Sequence, residues 1–133
     1  MHLYALMKGR WIMAFIRGGI ALVFLATALP SRAEECTFLQ NGIASIYAEK
    51  FNGRQTASGE TFDMNGHTAA HPSLPFGTRL KVTDRRTGKS TYVRINDRGP
   101  HVKNRALDVS RAVRTELGWG RTGVYRVRLS VCK

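Results

Sequence analysis

Three polar residues in separate stretches of the chain have the types needed for acid–base chemistry on a sugar. Asp97 sits in Arg94-Ile-Asn-Asp-Arg-Gly-Pro100, where an alternating strand ends and a Gly-Pro turn begins, so a carboxylate is delivered to a strand rim. Glu60 closes the small-residue turn Thr56-Ala-Ser-Gly-Glu60. His71 stands in Ala69-Ala-His71-Pro, ahead of Leu74-Pro-Phe-Gly77. A protonated carboxyl that gives its proton to a leaving oxygen, with a second polar group managing the other face, suffices for glycoside cleavage. Each residue also has a plainer role. Asp97 can cap an Asx turn, Glu60 can be a solvated loop carboxylate, and His71 can be bonded into the edge of the core. Spacing alone does not show that the three converge. His67 and His71 are spaced as in some metal sites, yet no third ligand is clearly placed, so neither metal nor cofactor is expected. The chain has no Gly-rich phosphate loop and no serine nucleophile elbow.

The elements around these residues read mostly as short strands. Gly42–Tyr47 forms a first strand, closed before the turn at Asn52-Gly53. Arg79–Thr83 and Thr91–Ile95 alternate polar with apolar residues across the turn Asp84–Gly88, which predicts a hairpin. Tyr125–Val131 puts Tyr125, Val127, Leu129 and Val131 on one face and basic residues on the other. Helix is scarce: Ser110 is a good N-cap for Arg111–Leu117, and Gly118 is a good stop. Such a chain forms a small barrel or sandwich, and periodicity does not choose between them.

The N-terminus has the layout of a cleavable export signal over residues 1–33. Lys8, Arg10 and Arg17 precede the apolar run Ile20–Leu29, and Pro30-Ser-Arg-Ala33 supplies small residues for cleavage near Ala33. Arg17 cuts that run short of the roughly 20 apolar residues a membrane span needs, so no membrane anchor is expected. Glu35 stands where a lipoprotein signal needs a small residue before Cys36, so acylation is not expected either. Residues 34–133 then form one domain, a soluble monomer outside the cytoplasm. They hold 17 Lys and Arg against nine acids, a net charge of +8. That surplus favours anionic polymers. Export makes a cell-envelope polymer the natural partner, and the chain lacks the aromatic and basic stripe of a nucleic-acid module. Cys36 and Cys132, at the two ends of this domain, read as one structural disulfide in an oxidising compartment.

Taken together, these stretches resemble the rare lipoprotein A family of double-psi β-barrel domains. The matching segments are Gly42–Tyr47, Gly53–Glu60, Ala69–Thr78, Val93–Pro100 and Arg105–Arg111, in the family's order. The block Asn96-Asp-Arg-Gly-Pro100 behind Ala69-Ala-His71 is the most specific of them. The resemblance implies a mainly β fold, a six-stranded double-psi barrel with one or two short helices. It also implies an endolytic peptidoglycan lytic transglycosylase. Such an enzyme cuts the bond between N-acetylmuramic acid and N-acetylglucosamine in peptide-poor strands and leaves 1,6-anhydro ends. By motif, Asp97 is the acid and then the base, with Glu60 and His71 as the other active-site positions. Ser58, Arg94, Asn96 and Arg98 are expected to meet substrate, and Asp108 to bond backbone within the barrel. An acid of this kind needs its proton affinity raised, which Glu60 beside Asp97 would do and inward-pointing Arg94 or Arg98 would oppose. The family's founding members carry a lipoprotein cysteine and a C-terminal peptidoglycan-binding domain. Neither is read here, so a freely diffusing protein rather than a septum-anchored one is expected. The alternative is a non-catalytic polysaccharide-binding module, since expansin-like and barwin-like proteins use related barrels.

Overall fold

Alternation sets the inside of the sheet. In the strand Ser90–Asp97, Thr91, Val93 and Ile95 are buried, and in Arg79–Asp84 so are Leu80, Val82 and Asp84. These are the third and fourth of six strands in a computed structural model that describes residues 34–133 together with Gly19. The export signal expected over residues 1–33 otherwise lies outside the described residues. In chain order the strands are β1 (Cys36–Ile46), β2 (Thr68–Ala70), β3 (Arg79–Asp84), β4 (Ser90–Asp97), β5 (Leu107–Val109) and β6 (Val124–Cys132). A short 3-10 turn (Glu49–Phe51) follows β1, and one helix, α1 (Arg111–Glu116), follows β5.

The sheet closes on itself in the order β1-β5-β2-β4-β3-β6, which resolves barrel against sandwich. Pairing is mixed: β1 runs parallel to β5 and β2 parallel to β4, while the other contacts are antiparallel. Closure leaves no free edge. The interior is filled by Ala44, Leu80, Val82, Val93, Ile95, Leu107, Val109, Val127 and Leu129, with Val113, Leu117 and Trp119 packed against them. Helix α1 starts as expected: the Ser110 hydroxyl accepts from the Val113 amide and donates to the Gly66 carbonyl at 2.6 Å. Gly118, at φ 72°, carries the chain out of it in the left-handed conformation that glycine tolerates.

The hairpin turn is anchored by buried Asp84, which accepts from the Arg86 amide at 2.7 Å and from Trp119 Nε1 at 2.8 Å. Trp119 in turn stacks flat on Tyr125, ring centroids 4.2 Å apart. Cys36 and Cys132 face each other in the β1–β6 register and are joined by the disulfide the sequence predicts. Among the described residues no helix is long and apolar enough to cross a membrane.

Candidate active site

One row of the barrel builds the site. Ser45 on β1 lies opposite Asp108 on β5, Asp108 opposite Ala70 on β2, and Ala70 opposite Asp97 at the end of β4. Neighbouring strands are about 4.8 Å apart, so four residues spread over more than 50 positions of sequence become lateral neighbours. The β2–β4 register shifts between Ala69 and Ala70, whose partners are Ile95 and Asp97, so Asn96 is passed over. A bulge of this kind re-aims the side chain that follows it. Asn96 itself is buried, and Asp97 is left half-buried at the rim.

Three donors hold the Asp97 carboxylate. Oδ1 accepts from the Ala57 amide at 2.9 Å and from the Arg98 amide at 2.8 Å, and Oδ2 accepts from the Tyr47 hydroxyl at 2.6 Å. The Asx turn foreseen for this residue, to an amide two positions on, is not formed: Oδ1 takes the adjacent Arg98 amide and the Ala57 amide 40 residues away. Tyr47 is the group that the sequence did not single out. Its amide donates to the Val109 carbonyl at 2.8 Å, and its ring packs on Phe62 and Phe51 with centroids 4.4 and 5.4 Å away. Burial, with help from the bond to Asp97, pushes the phenol's pKa well above its ordinary value, so Tyr47 stays a donor.

The loop that supplies Ala57 also carries Glu60. Thr56 and Glu60 close it, the Thr56 amide and hydroxyl both donating to the Glu60 carbonyl at 2.7 and 2.9 Å. Gly59 makes the turn at φ 89°, where any side chain would be strained. Ser58 belongs to the same turn: its hydroxyl contacts that of Thr56 at 2.9 Å, and its amide donates to the Asn96 carbonyl at 3.2 Å. Glu60 is clamped by the two terminal guanidinium nitrogens of Arg94, at 2.5 and 2.7 Å, and accepts from Asn96 Nδ2 at 3.3 Å. The bond from Arg94 draws its pKa below the ordinary carboxylate value. The lone negative charge anticipated beside Asp97 is therefore replaced by an ion pair with its own counter-charge. The cause is register: Arg94 lies two residues before the bulge, on the exposed side of β4 that the Glu60 loop crosses.

His71 is 5% exposed, and its Nδ1 accepts from the Ser73 and Leu74 amides at 3.1 and 3.0 Å. With Nδ1 an acceptor, the ring proton sits on Nε2, which is buried without a partner. His71 is tied to Asp97 through backbone only, its amide donating to the Asp97 carbonyl at 3.2 Å. Arg98 donates to the Leu74 carbonyl at 2.8 Å and lies over the exposed Phe76 ring, 4.0 Å from its centroid. Neither Arg94 nor Arg98 makes an ion pair with Asp97. Asp108 departs from expectation: it accepts from the Ser45 hydroxyl rather than from backbone, because the register puts those two side chains opposite each other. His67 pairs with Glu116. The cavity of about 650 Å³ beside Asp84–Arg86 and Val124–Arg126 borders none of the candidate residues.

Burial, aided by the charge of Arg98, lowers the His71 pKa below its ordinary value of 6.5. The folded imidazole then resists a proton that the unfolded chain accepts. The contribution of neutral His71 is full above pH 6.5 and declines as pH falls from there toward the folded value. Urea midpoints should accordingly drop between pH 7.5 and 5.5, and should drop less in His71→Gln. Equal drops in the two proteins would remove His71 as the source.

A closed six-stranded barrel with a bulge-borne carboxylate on its rim defines a class. The double-psi β-barrel family described as "Lytic transglycolase" matches residues 39–129. A relative from Treponema pallidum, "Probable endolytic peptidoglycan transglycosylase RlpA", is 57% identical over 88 residues, covering 66% of this chain and 28% of its own length. "Endolytic peptidoglycan transglycosylase RlpA" of Pasteurella multocida is 47% identical over 98 residues, covering 74% and 33%. The protein of the same name from Neisseria meningitidis is 47% identical over 92 residues, covering 69% and 38%. The chain belongs to the rare lipoprotein A family, and its fold is the double-psi β-barrel. It spans about a quarter to two fifths of the length of these relatives.

Proposed function

We propose that this domain is an endolytic lytic transglycosylase of peptidoglycan, exported to the cell envelope by residues 1–33. The observation that carries the reading is the Asp97 carboxylate, fixed at the rim by Tyr47, Ala57 and Arg98 and left without a cationic partner. Its two oxygens are not equivalent. Oδ1 is taken by two amides, so Oδ2 exchanges a proton with substrate. Protonated Asp97 gives that proton to the glycosidic oxygen as the bond to C1 of N-acetylmuramic acid breaks. The sugar's own 6-hydroxyl then attacks C1 and returns a proton to Oδ2. No water is consumed, and the product ends in a 1,6-anhydro ring. Glu60, held by Arg94, faces the positive charge that develops on the sugar, and neutral His71 supports the site from beneath by fixing the Ser73–Leu74 turn. Asn96 orients Glu60, Ser58 shapes its loop, and Phe76 with Arg98 gives a flat platform for a pyranose.

Digestion of purified peptide-free glycan strands, with mass spectrometry of the products, tests this. Anhydromuramyl ends appearing together with an early fall in mean strand length are expected. Reducing ends would mean hydrolysis. Binding without any product would leave an expansin-like module.

Tyr47 acts through Asp97 and is a positioning residue. Loss of a hydrogen bond to a charged group costs about 1.5–3 kcal/mol, so Tyr47→Phe should lower kcat by about ten- to a hundredfold. KM should change little, because the ring contacts with Phe51 and Phe62 survive. A purely structural role would instead lower the melting temperature and leave kcat of the folded fraction intact.

A further inference from the structure

Arg105 stands between two cavities of about 470 Å³ each. One is bordered by His71 and Asn104; the other runs from Ser45 to Glu49 and is closed by Arg105, Arg114 and Arg121. The second cavity has three guanidinium groups against one carboxylate. That carboxylate, Glu49, is already shared, lying 3.7 Å from Arg114 and 4.0 Å from Arg111. Arg105 Nε is buried with no hydrogen-bond partner. The fork of an arginine fits a carboxylate with two parallel bonds. Three arginines against one shared carboxylate around one cavity favour an anionic occupant.

Tyr47 lines this cavity, and its hydroxyl is bonded to Asp97. An anion seated there lies one side chain away from the reacting carboxylate. On the substrate proposed above, the acid nearest the scissile bond is the lactyl ether at C3 of N-acetylmuramic acid, on the same ring as the C1 and 6-hydroxyl that react. We infer that Arg105, Arg114 and Arg121 form a carboxylate subsite that binds the free lactyl group of the muramic acid being cleaved. The inference rests on the transglycosylase reading. It gives that reading a specificity device: an attached stem peptide turns the lactyl carboxylate into an uncharged amide, and the subsite loses its ligand. Stem peptides bear carboxylates too, so the source of the anion needs its own arm in the test.

Three substrates separate the possibilities: peptide-free strands, the same strands with lactyl carboxyls converted to methylamides, and strands still bearing stem peptides. Each is digested with the wild type and with Arg121→Gln, whose exposed position leaves the fold undisturbed. The wild type should cut free-acid strands with kcat/KM about tenfold or more above the methylamides. Arg121→Gln should shrink that ratio severalfold by slowing only the free acid. Arg105→Lys, which keeps charge but loses the fork, should do the same. Equal rates on free acid and methylamide, or equal slowing of both by Arg121→Gln, would overturn the subsite. An Arg121 effect confined to peptide-bearing strands would overturn the lactyl assignment. Calorimetric binding of a muramyl disaccharide, as free acid and as methylamide, covers the remaining case. Charge discrimination there with no product from any strand would refute the enzyme and support the subsite; no discrimination would refute the subsite alone.

Discussion

Asp97→Asn is expected to cut the release of anhydromuramyl ends by about 10²–10⁴-fold while the barrel stays folded. The amide has no proton to give to the leaving oxygen and cannot take one from the 6-hydroxyl, so both halves of the reaction are lost at once. The substitution is otherwise mild. Asn Oδ1 can still accept from the Ala57 and Arg98 amides, and the Tyr47 hydroxyl can turn to accept from the new NH₂ group. Mass spectrometry of glycan digests, with circular dichroism and strand binding as controls, checks the outcome. Activity within tenfold of wild type would take the acid–base role from Asp97 and leave Glu60 as the remaining carboxylate. That second carboxylate is the weaker candidate because Arg94 holds it ionised and bidentate, which suits a charge stabiliser better than a proton donor.

Removal of the Cys36–Cys132 bridge is expected to destabilise the domain by about 4–5 kcal/mol. The bond closes a loop with a sequence separation of 96, nearly the whole domain, and the chain-entropy estimate for a loop of about that size is near 4.7 kcal/mol. A domain of this size has only about 5–15 kcal/mol of net stability. The Cys36→Ala, Cys132→Ala double variant should melt at least about 15 °C lower than the oxidised wild type. Differential scanning calorimetry under identical buffer reads this directly. A shift under about 5 °C would mean that β1 and β6 are held by their ladder and core contacts alone.

What the sequence made legible was whatever repeats over a short span. The alternation in β3, β4 and β6, the turn at Asp84–Gly88 and the Ser110 cap of α1 all lie within one to two turns or one strand of sequence. Strands β2 and β5 have three residues each, too few to establish a period, and only the family resemblance implied six strands. The first half of β1 was missed because Cys36–Leu39 are exposed and carry no alternation; pairing with β6 makes them a strand. The same limit governs the site. Asp97 was legible because its motif is local. Its bonds to Tyr47 and Ala57 span 50 and 40 residues, and the Glu60–Arg94 pair spans 34. Those partners are set by strand register and by one bulge, which no local pattern encodes.

The covalent closure of the first strand onto the last also has a mechanical meaning. A pull applied at Glu35 and Lys133, whose backbones are themselves hydrogen-bonded at 3.0 Å, reaches the sulfur–sulfur bond before it reaches the strand ladder. Under tension the barrel would pass load from one side to the other as a rigid bead rather than unzip. Reduction would free the span between the two cysteines, whose separation is 96, roughly 320–350 Å of fully extended chain. Single-molecule stretching with and without reductant would read that difference as hidden length, and the oxidised barrel would keep its rim geometry under strain.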